Sequence, residues 1–240
     1  MNTQHARRIS FSAALALIAA ASLVGSASAT HSRAASVKAA PDSAFTPEKG
    51  RFRILVGGQQ VGKEDFEIGL SGGNWTAHGS SEIQTSQGIE HVTGTLAFRP
   101  DGTPVRYEWS TTGAKKAAAA IAFDGAVATV ELRLENARPF TQRFTFDSPH
   151  VAVLDNNLYH HYVILTHLYD WSKKGPQTFS VLVPQEMTPG SVTVESLGKP
   201  DGKLEELRVK TEDLELDLFL DNMKLVRILA PASNAEILRD

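Results

Sequence analysis

His160, Ile164, His167 and Trp171 stand at i, i+4, i+7 and i+11, with His161 beside the first of them. On a helix these positions make one stripe, and imidazoles on a stripe are candidates for acid–base work, metal ligation or the wall of a ligand cavity. The spacing narrows the choice. Residues seven apart lie about 10 Å apart along a helix axis, too far to chelate one metal without other ligands. A His-Glu-x-x-His arrangement is absent as well. A second set of chemical groups is the carboxylate run Glu205, Glu206, Glu212, Asp213, Glu215, Asp217 and Asp221. A glycosidase holds two carboxylates close together in a cleft, but here the alternation puts several on the wet face of one strand. Finally, Gly57-Gly58-Gln59-Gln60-Val61-Gly62-Lys63 matches the first seven positions of a phosphate-binding loop. Glu64 then stands where a hydroxyl should meet Mg²⁺, and Glu64 to Leu70 alternates at period two, so no helix N-terminus faces an anion. This stretch reads as a hairpin turn.

The apolar periods define the elements that must position these groups. From Gly50 onward the chain reads as short β runs broken by turn signals. The expected strands of the first half are Arg51–Val56, Val61–Leu70, Trp75–Thr85, Ile89–Phe98, Pro104–Thr112, Lys116–Phe123 and Phe140–Phe146, with Val130, Leu132 and Leu134 alternating between the last two. Four consecutive alanines, Ala117 to Ala120, favour helix by propensity, but Asp124-Gly125 and the alternation beyond it argue for a hairpin. Strands resume at Gln177–Val183, Ser191–Leu197, Leu204–Lys210, Leu214–Leu220 and Lys224–Leu229. Between these halves the period changes once. Leu158, Tyr162, Leu165 and Tyr169 fall at helical spacing over Asp155 to Trp171, with Asp155 or Asn156 as cap and Gly175-Pro176 as stop. The expected fold is mainly β: an antiparallel meander curled into an open half-barrel or a sandwich, with one covering helix near residues 155–171. Trp75 and Trp109 on strands, with His160, Ile164, His167 and Trp171 on the helix, are the residues expected to line a cavity beneath it.

Residues 1–29 have the layout of a secretory signal. Arg7 and Arg8 are the basic region, Phe11 to Val24 the apolar region, and Ala27-Ser28-Ala29 the cleavage site. Loss of Arg7 and Arg8 leaves 22 basic against 27 acidic residues, a net charge near −5, without the basic footprint of a nucleic-acid binder. Thr30 to Lys49 is rich in Ala, Ser and Pro and reads as a disordered linker, leaving residues 50–240 as a single β-rich domain. The chain has no cysteine, which removes disulfides, thiolate chemistry and lipid anchoring at the cleavage site. No second apolar run reaches spanning length. These features place the mature chain in the periplasm or outside the cell, exported by the general secretory route with cleavage after Ala29.

The layout resembles the half-barrel superfamily of outer-membrane lipoprotein carriers of the LolA and LolB type, and exported bacterial envelope proteins of the same plan. The likeness rests on Gly50-Arg51-Phe52-Arg53-Ile54 with Val61-Gly62-Lys63-Glu64 at the domain's start, and on Leu214 to Asp221, Lys224-Leu225-Val226-Arg227-Ile228 and Pro231 at its end. It is a likeness of pattern over residues 50–240 and carries no functional residue across. What it implies is a non-enzymatic envelope protein that binds an apolar or lipid-like ligand, or an envelope partner, in a curled sheet. No cofactor and no metal are expected. The alternatives are an envelope polysaccharide hydrolase using a carboxylate pair or the helix histidines, and a structural or assembly protein without a pocket.

Overall fold

In the computed structural model, the described residues are 45–240 except Lys115 and Asp213. The span that reads as a signal, residues 1–29, and most of the span that reads as a linker lie outside them. Fifteen strands form one sheet: β1 Glu48–Val56, β2 Gln59–Ser71, β3 Asn74–Thr85, β4 Gly88–Phe98, β5 Pro104–Thr112, β6 Ala117–Asp124, β7 Val127–Leu134, β8 Phe140–Thr145, β9 Val151–Val153, β10 Gln177–Val183, β11 Thr188–Gly198, β12 Glu205–Lys210, β13 Glu215–Asp221, β14 Lys224–Ala230 and β15 Ala235–Arg239. One α-helix, α1 His160–Leu168, lies between β9 and β10.

Strand order is β8-β7-β6-β5-β4-β3-β2-β1-β15-β14-β13-β12-β11-β10-β9. All neighbours are antiparallel except β9 and β10, which are parallel because α1 intervenes as a crossover. The sheet is open, since β8 and β9 end it and do not pair with each other. Its middle is where the two ends of the folded chain meet: β1 pairs with β15, and the Asp240 N–H donates to the Arg51 carbonyl at 3.0 Å. Register breaks at Ile54/Leu55, Ala97/Phe98, Ser196/Gly198 and Phe219/Leu220 bend the ribbon, as bulges do. The curl is deep enough to bring β9 against β5 across the interior.

Alternation decides which face is dry. Phe66 and Ile68 of β2, Trp75 and Ala77 of β3, Tyr107 and Trp109 of β5, and Leu216, Leu218 and Leu220 of β13 are buried on the inner face. The four alanines do form β6. Ala119 stands opposite Trp109 in register, where a small residue leaves room for the indole. The turn at Gly57-Gly58 has φ of 58° and 78°, the I′ geometry that suits a two-residue hairpin. Phe45, in the span that reads as linker, is buried against Trp75 and Phe98.

α1 is shorter than its apolar period and sits within it. Asp155 does not cap it. The Asp155 carboxylate instead accepts from the Asn157 N–H at 3.0 Å, a local turn that competes with helix. At the other end Asp170 accepts from the Ser172 N–H and hydroxyl, and Tyr169 is already extended. The nine residues between carry no Asp, Glu, Lys or Arg. They can therefore be buried all round, and His160 through Thr166 are. The helix fills the curl of the sheet as well as covering it. Among the described residues, no helix is long and apolar enough to cross a membrane.

Candidate functional site

The polar centre of the molecule lies under the first turn of α1. Glu64 shares its side of β2 with Phe66 and Ile68, so alternation turns its carboxylate into the interior, where it is fully buried. There it takes the place of a local helix cap. Glu64 Oε2 accepts the Tyr159 N–H at 2.7 Å and Oε1 the His160 N–H at 3.3 Å, meeting the unpaired donors of the helix start. Oε1 also lies 2.5 Å from His160 Nδ1. Burial pushes the Glu64 carboxyl up to about 8, against the opposing pull of the two N–H donors. Burial first, then the neighbouring His78, pulls His160 down to about 3. Between those values the pair holds one shared proton and no net charge, the least costly state for two such groups out of water.

His161 is fixed differently. Its Nδ1 lies 2.7 Å from the Val153 carbonyl. A carbonyl can only accept, so Nδ1 carries the hydrogen, and burial holds this ring's pKa at about 3. Nε2 of the neutral ring is then a lone-pair acceptor. The two imidazoles meet edge to face with centroids 4.5 Å apart, and Tyr107 meets His161 the same way at 5.1 Å. Tyr107 Oη donates to Asp155 Oδ2 at 2.6 Å, and Gln185 Nε2 donates to the same oxygen. Burial, then the Asp155 charge, holds the Tyr107 phenol well above its ordinary value. Tyr107→Phe should cost about 1–2 kcal/mol in urea unfolding, because Asp155 keeps its Gln185 and Asn157 donors. A loss above roughly twice that would mean that the hydroxyl also holds β5 to the β9–α1 corner.

Room for this cluster comes from two glycines opposite each other in register, Gly79 of β3 and Gly94 of β4. A Cβ on Gly79 would stand 2.4 Å from His160 Cε1, and one on Gly94 would stand 2.4 Å from Leu158 Cδ1. The helix start is seated in a depression that only glycine leaves open.

The centre is not fully matched. Ser81 Oγ, Trp109 Nε1, His160 Nε2 and His161 Nε2 are buried with no hydrogen-bonding group of the protein in reach. Ser81 is the register partner of Glu64, and Trp109 that of Gly94, so these atoms gather around the two glycines. A carboxylate that orients an imidazole, with a hydroxyl nearby, is the composition of a nucleophile-activating triad. Glu64, Ser81 and His160 are all buried to within 1%, however, and no substrate reaches them in this conformation.

Four of the six residues singled out from the sequence divide into two groups. His160 and Trp109 belong to the polar centre. Trp75 and His167 meet through the ring of Phe45 near the other end of α1, with His167 5.4 Å from that ring. Ile164 is core. Trp171 lies beyond the helix, half-buried against Tyr169, and donates to the Thr166 carbonyl. Glu64 and Ser81 are the members that the sequence reading passed over as site residues. The signal for Glu64 and Ser81 was their parity, polar side chains in phase with apolar inner-face residues.

Other motifs resolve into scaffold. The carboxylates of the last strands are drawn into ion pairs: Arg208 meets Asp217 at 2.8 Å, Glu215 at 3.3 Å and Glu206 at 3.6 Å, and Lys210 meets Glu215 at 2.9 Å. Gly69-Leu70-Ser71-Gly72-Gly73 spells a nucleophile elbow, but Ser71 ends β2 and the chain turns straight into β3, where an elbow needs a helix. Among the described residues, no three His, Asp or Glu side chains are grouped to hold a metal ion. Two open grooves lie along the sheet, one of about 310 Å³ lined in part by Thr95, Glu108, Trp109 and Ala119, the other of about 400 Å³ lined in part by Lys49, Phe66, Glu67 and His78.

No protein-family model matches the chain, and no curated protein matches it. A crystal structure of a DUF1089 family protein from Pseudomonas aeruginosa is similar over 73% of this chain and 91% of that one, with a TM-score of 0.46 and 9% identity.

Proposed function

We propose that this chain is an exported, non-enzymatic binding protein whose curled sheet takes an apolar or lipid-like ligand against the face that α1 occupies. The observation that carries this reading is the set of four unpartnered polar atoms beneath the first turn of an otherwise apolar helix. Interiors that are finished cores leave few such atoms, and each costs about 1–3 kcal/mol when nothing meets it. A molecule with an apolar body, and an end that both accepts from Trp109 Nε1 and donates to His161 Nε2, would recover that cost. The open edges at β8 and β9 supply the freedom, since no ladder of hydrogen bonds has to break for the curl to widen.

The test is native mass spectrometry and solvent extraction of the protein purified from its own host, followed by titration of the stripped protein with a fluorescent acyl probe. An extracted lipid-like molecule near one per chain is expected, with probe binding that weakens at least about tenfold in Trp109→Phe. Protein that yields no such molecule, binds no probe and holds only ordered water at these four atoms overturns the reading.

A further inference from the structure

β8, Phe140–Thr145, ends the sheet, with one side unpaired among the described residues. Its backbone directions follow from one hydrogen bond. The Phe146 N–H donates to the Ala126 carbonyl of the β7 side at 2.8 Å. Polar groups on a strand alternate sides, so Phe140, Gln142 and Phe144 also bond to β7. The N–H and C=O groups of Thr141, Arg143 and Thr145 therefore point outward. Natural edges of this kind are usually blunted by proline, bulges or charged side chains. Pro139 stands in the outward phase and blunts the start of this edge; of the next six residues only Arg143 adds a charge, and no bulge breaks the register with β7. These residues carry the most exposed large apolar side chain among the described residues, Phe140 at 52%, with Leu134 of β7 at 49%.

We propose that this edge pairs with the same edge of a second copy of the chain, joining two open sheets into one through a two-fold axis at Gln142. The register is chosen by sterics and charge. A two-fold axis normal to the sheet keeps inner faces together, so only pairings that match inward with inward residues are allowed. Centring on Arg143 sets two guanidinium groups directly opposite each other, a repulsive cross-strand pair. Centring on Thr141 places Phe140 beside the partner's Gln142 and spends one outward position on the partner's Pro139, which has no N–H to give. Centring on Gln142 avoids the guanidinium pair and moves the partner's Pro139 out to Thr145, at the end of the ladder, where only the bond to the Thr145 carbonyl is lost. Thr141 and the partner's Arg143 then exchange both their hydrogen bonds, and the exposed ring of Phe140 covers the partner's Phe144, which is already on the dry face. Aromatic pairs at such positions are the stronger cross-strand contacts. The joined surface is small beside the roughly 1,200 Å² of a standard interface, so the association is weak, with a dissociation constant on the order of micromolar.

Sedimentation of the wild-type chain across a concentration series should show a monomer–dimer equilibrium, with amides of Thr141, Arg143 and Thr145 slowing in hydrogen exchange as the dimer fills. Arg143→Pro removes an outward N–H that β7 does not use, and Phe140→Ser removes only an exposed ring. Each should weaken association at least about tenfold while leaving the circular dichroism spectrum unchanged. If the Pro variant misfolds, Phe140→Ser alone decides. A wild-type chain that stays monomeric at concentrations of about 1 mM overturns the proposal. So does edge-amide protection independent of concentration, which would mean that a segment of the same chain covers the edge.

Discussion

Glu64→Ala should destabilise the fold by about 3–5 kcal/mol, since each buried polar group left without a partner costs about 1–3 kcal/mol. Three groups lose their partner at once: the Tyr159 N–H, the His160 N–H and His160 Nδ1. Glu64→Gln is the informative companion. Its amide oxygen can accept from Tyr159 while its nitrogen donates to His160 Nδ1, but that nitrogen cannot accept the His160 N–H as Glu64 Oε1 does. It should cost about 1–3 kcal/mol near pH 6, the effect of that one buried donor left unpaired. Glu64→Gln parts company from wild type as pH rises. In the folded chain the Glu64–His160 pair keeps one proton from about pH 3 to about 8. In the unfolded chain these side chains hold two protons below the ordinary Glu value of 4.5, one between 4.5 and the His value of 6.5, and none above it. Stability follows the excess of protons bound by the unfolded state. The pair therefore adds stability as pH rises from about 3 to 4.5, is neutral to 6.5, and withdraws up to about 2 kcal/mol between 6.5 and 8. His161, with its folded value near 3, adds a rise that ends near 6.5. Urea unfolding of the wild type should thus peak near pH 6.5 and fall toward 8, whereas Glu64→Gln should lack the alkaline fall. A wild-type profile flat above 6.5, or the same fall in both proteins, would refute the shared-proton account.

That carboxylate also marks the boundary of what the sequence discloses. Period-two alternation and turn residues were enough to read the strand-rich, open, curled fold with one helix, because each depends on neighbours in the chain. Three features depend on distant partners. β1 pairs with β15 only because the meander closes on itself at the middle of the sheet. β9, three residues long, is a strand only because β10 is beside it. α1 starts at His160 and not at Asp155 because Glu64, nearly a hundred residues earlier, supplies the cap while Asp155 binds Tyr107 and Gln185. The two centres along α1 were legible only as a set of aromatic and imidazole residues. Spacing put His160 and His167 on one stripe, but their partners are separate: Glu64 for the first and Phe45 for the second. Parity was the unused clue. Glu64 and Ser81 share phase with Phe66 and Ile83, and a polar residue on a dry face has to answer to something across the interior.

The glycines opposite each other in β3 and β4 make the same point as a measurable coupling. A glycine inside a strand weakens it unless something approaches closely, and here His160 does. Gly79→Ala puts a methyl 2.4 Å from His160 Cε1, 2.5 Å from Nδ1 and 2.9 Å from Glu64 Oε1. A flexible exposed side chain would swing away. This imidazole is fully buried, held by Glu64 on one edge and stacked toward Phe66 with centroids 6.1 Å apart. It cannot move without breaking the bond that caps α1. The substitution should therefore cost about 3 kcal/mol, although alanine at an ordinary mid-strand glycine is mildly stabilising through the unfolded chain. The decisive comparison is the same change in a His160→Ala background, where the obstructing ring is gone. There Gly79→Ala should be close to neutral, giving a coupling of about 2–3 kcal/mol in a double-mutant cycle, the size found for residues in direct contact. Equal costs in both backgrounds would place the intolerance in the strand itself and remove the glycine seat from the account of how α1 is held. If the coupling appears and is lost on filling the interior with an acyl probe, α1's first turn is the part that gives way to the ligand.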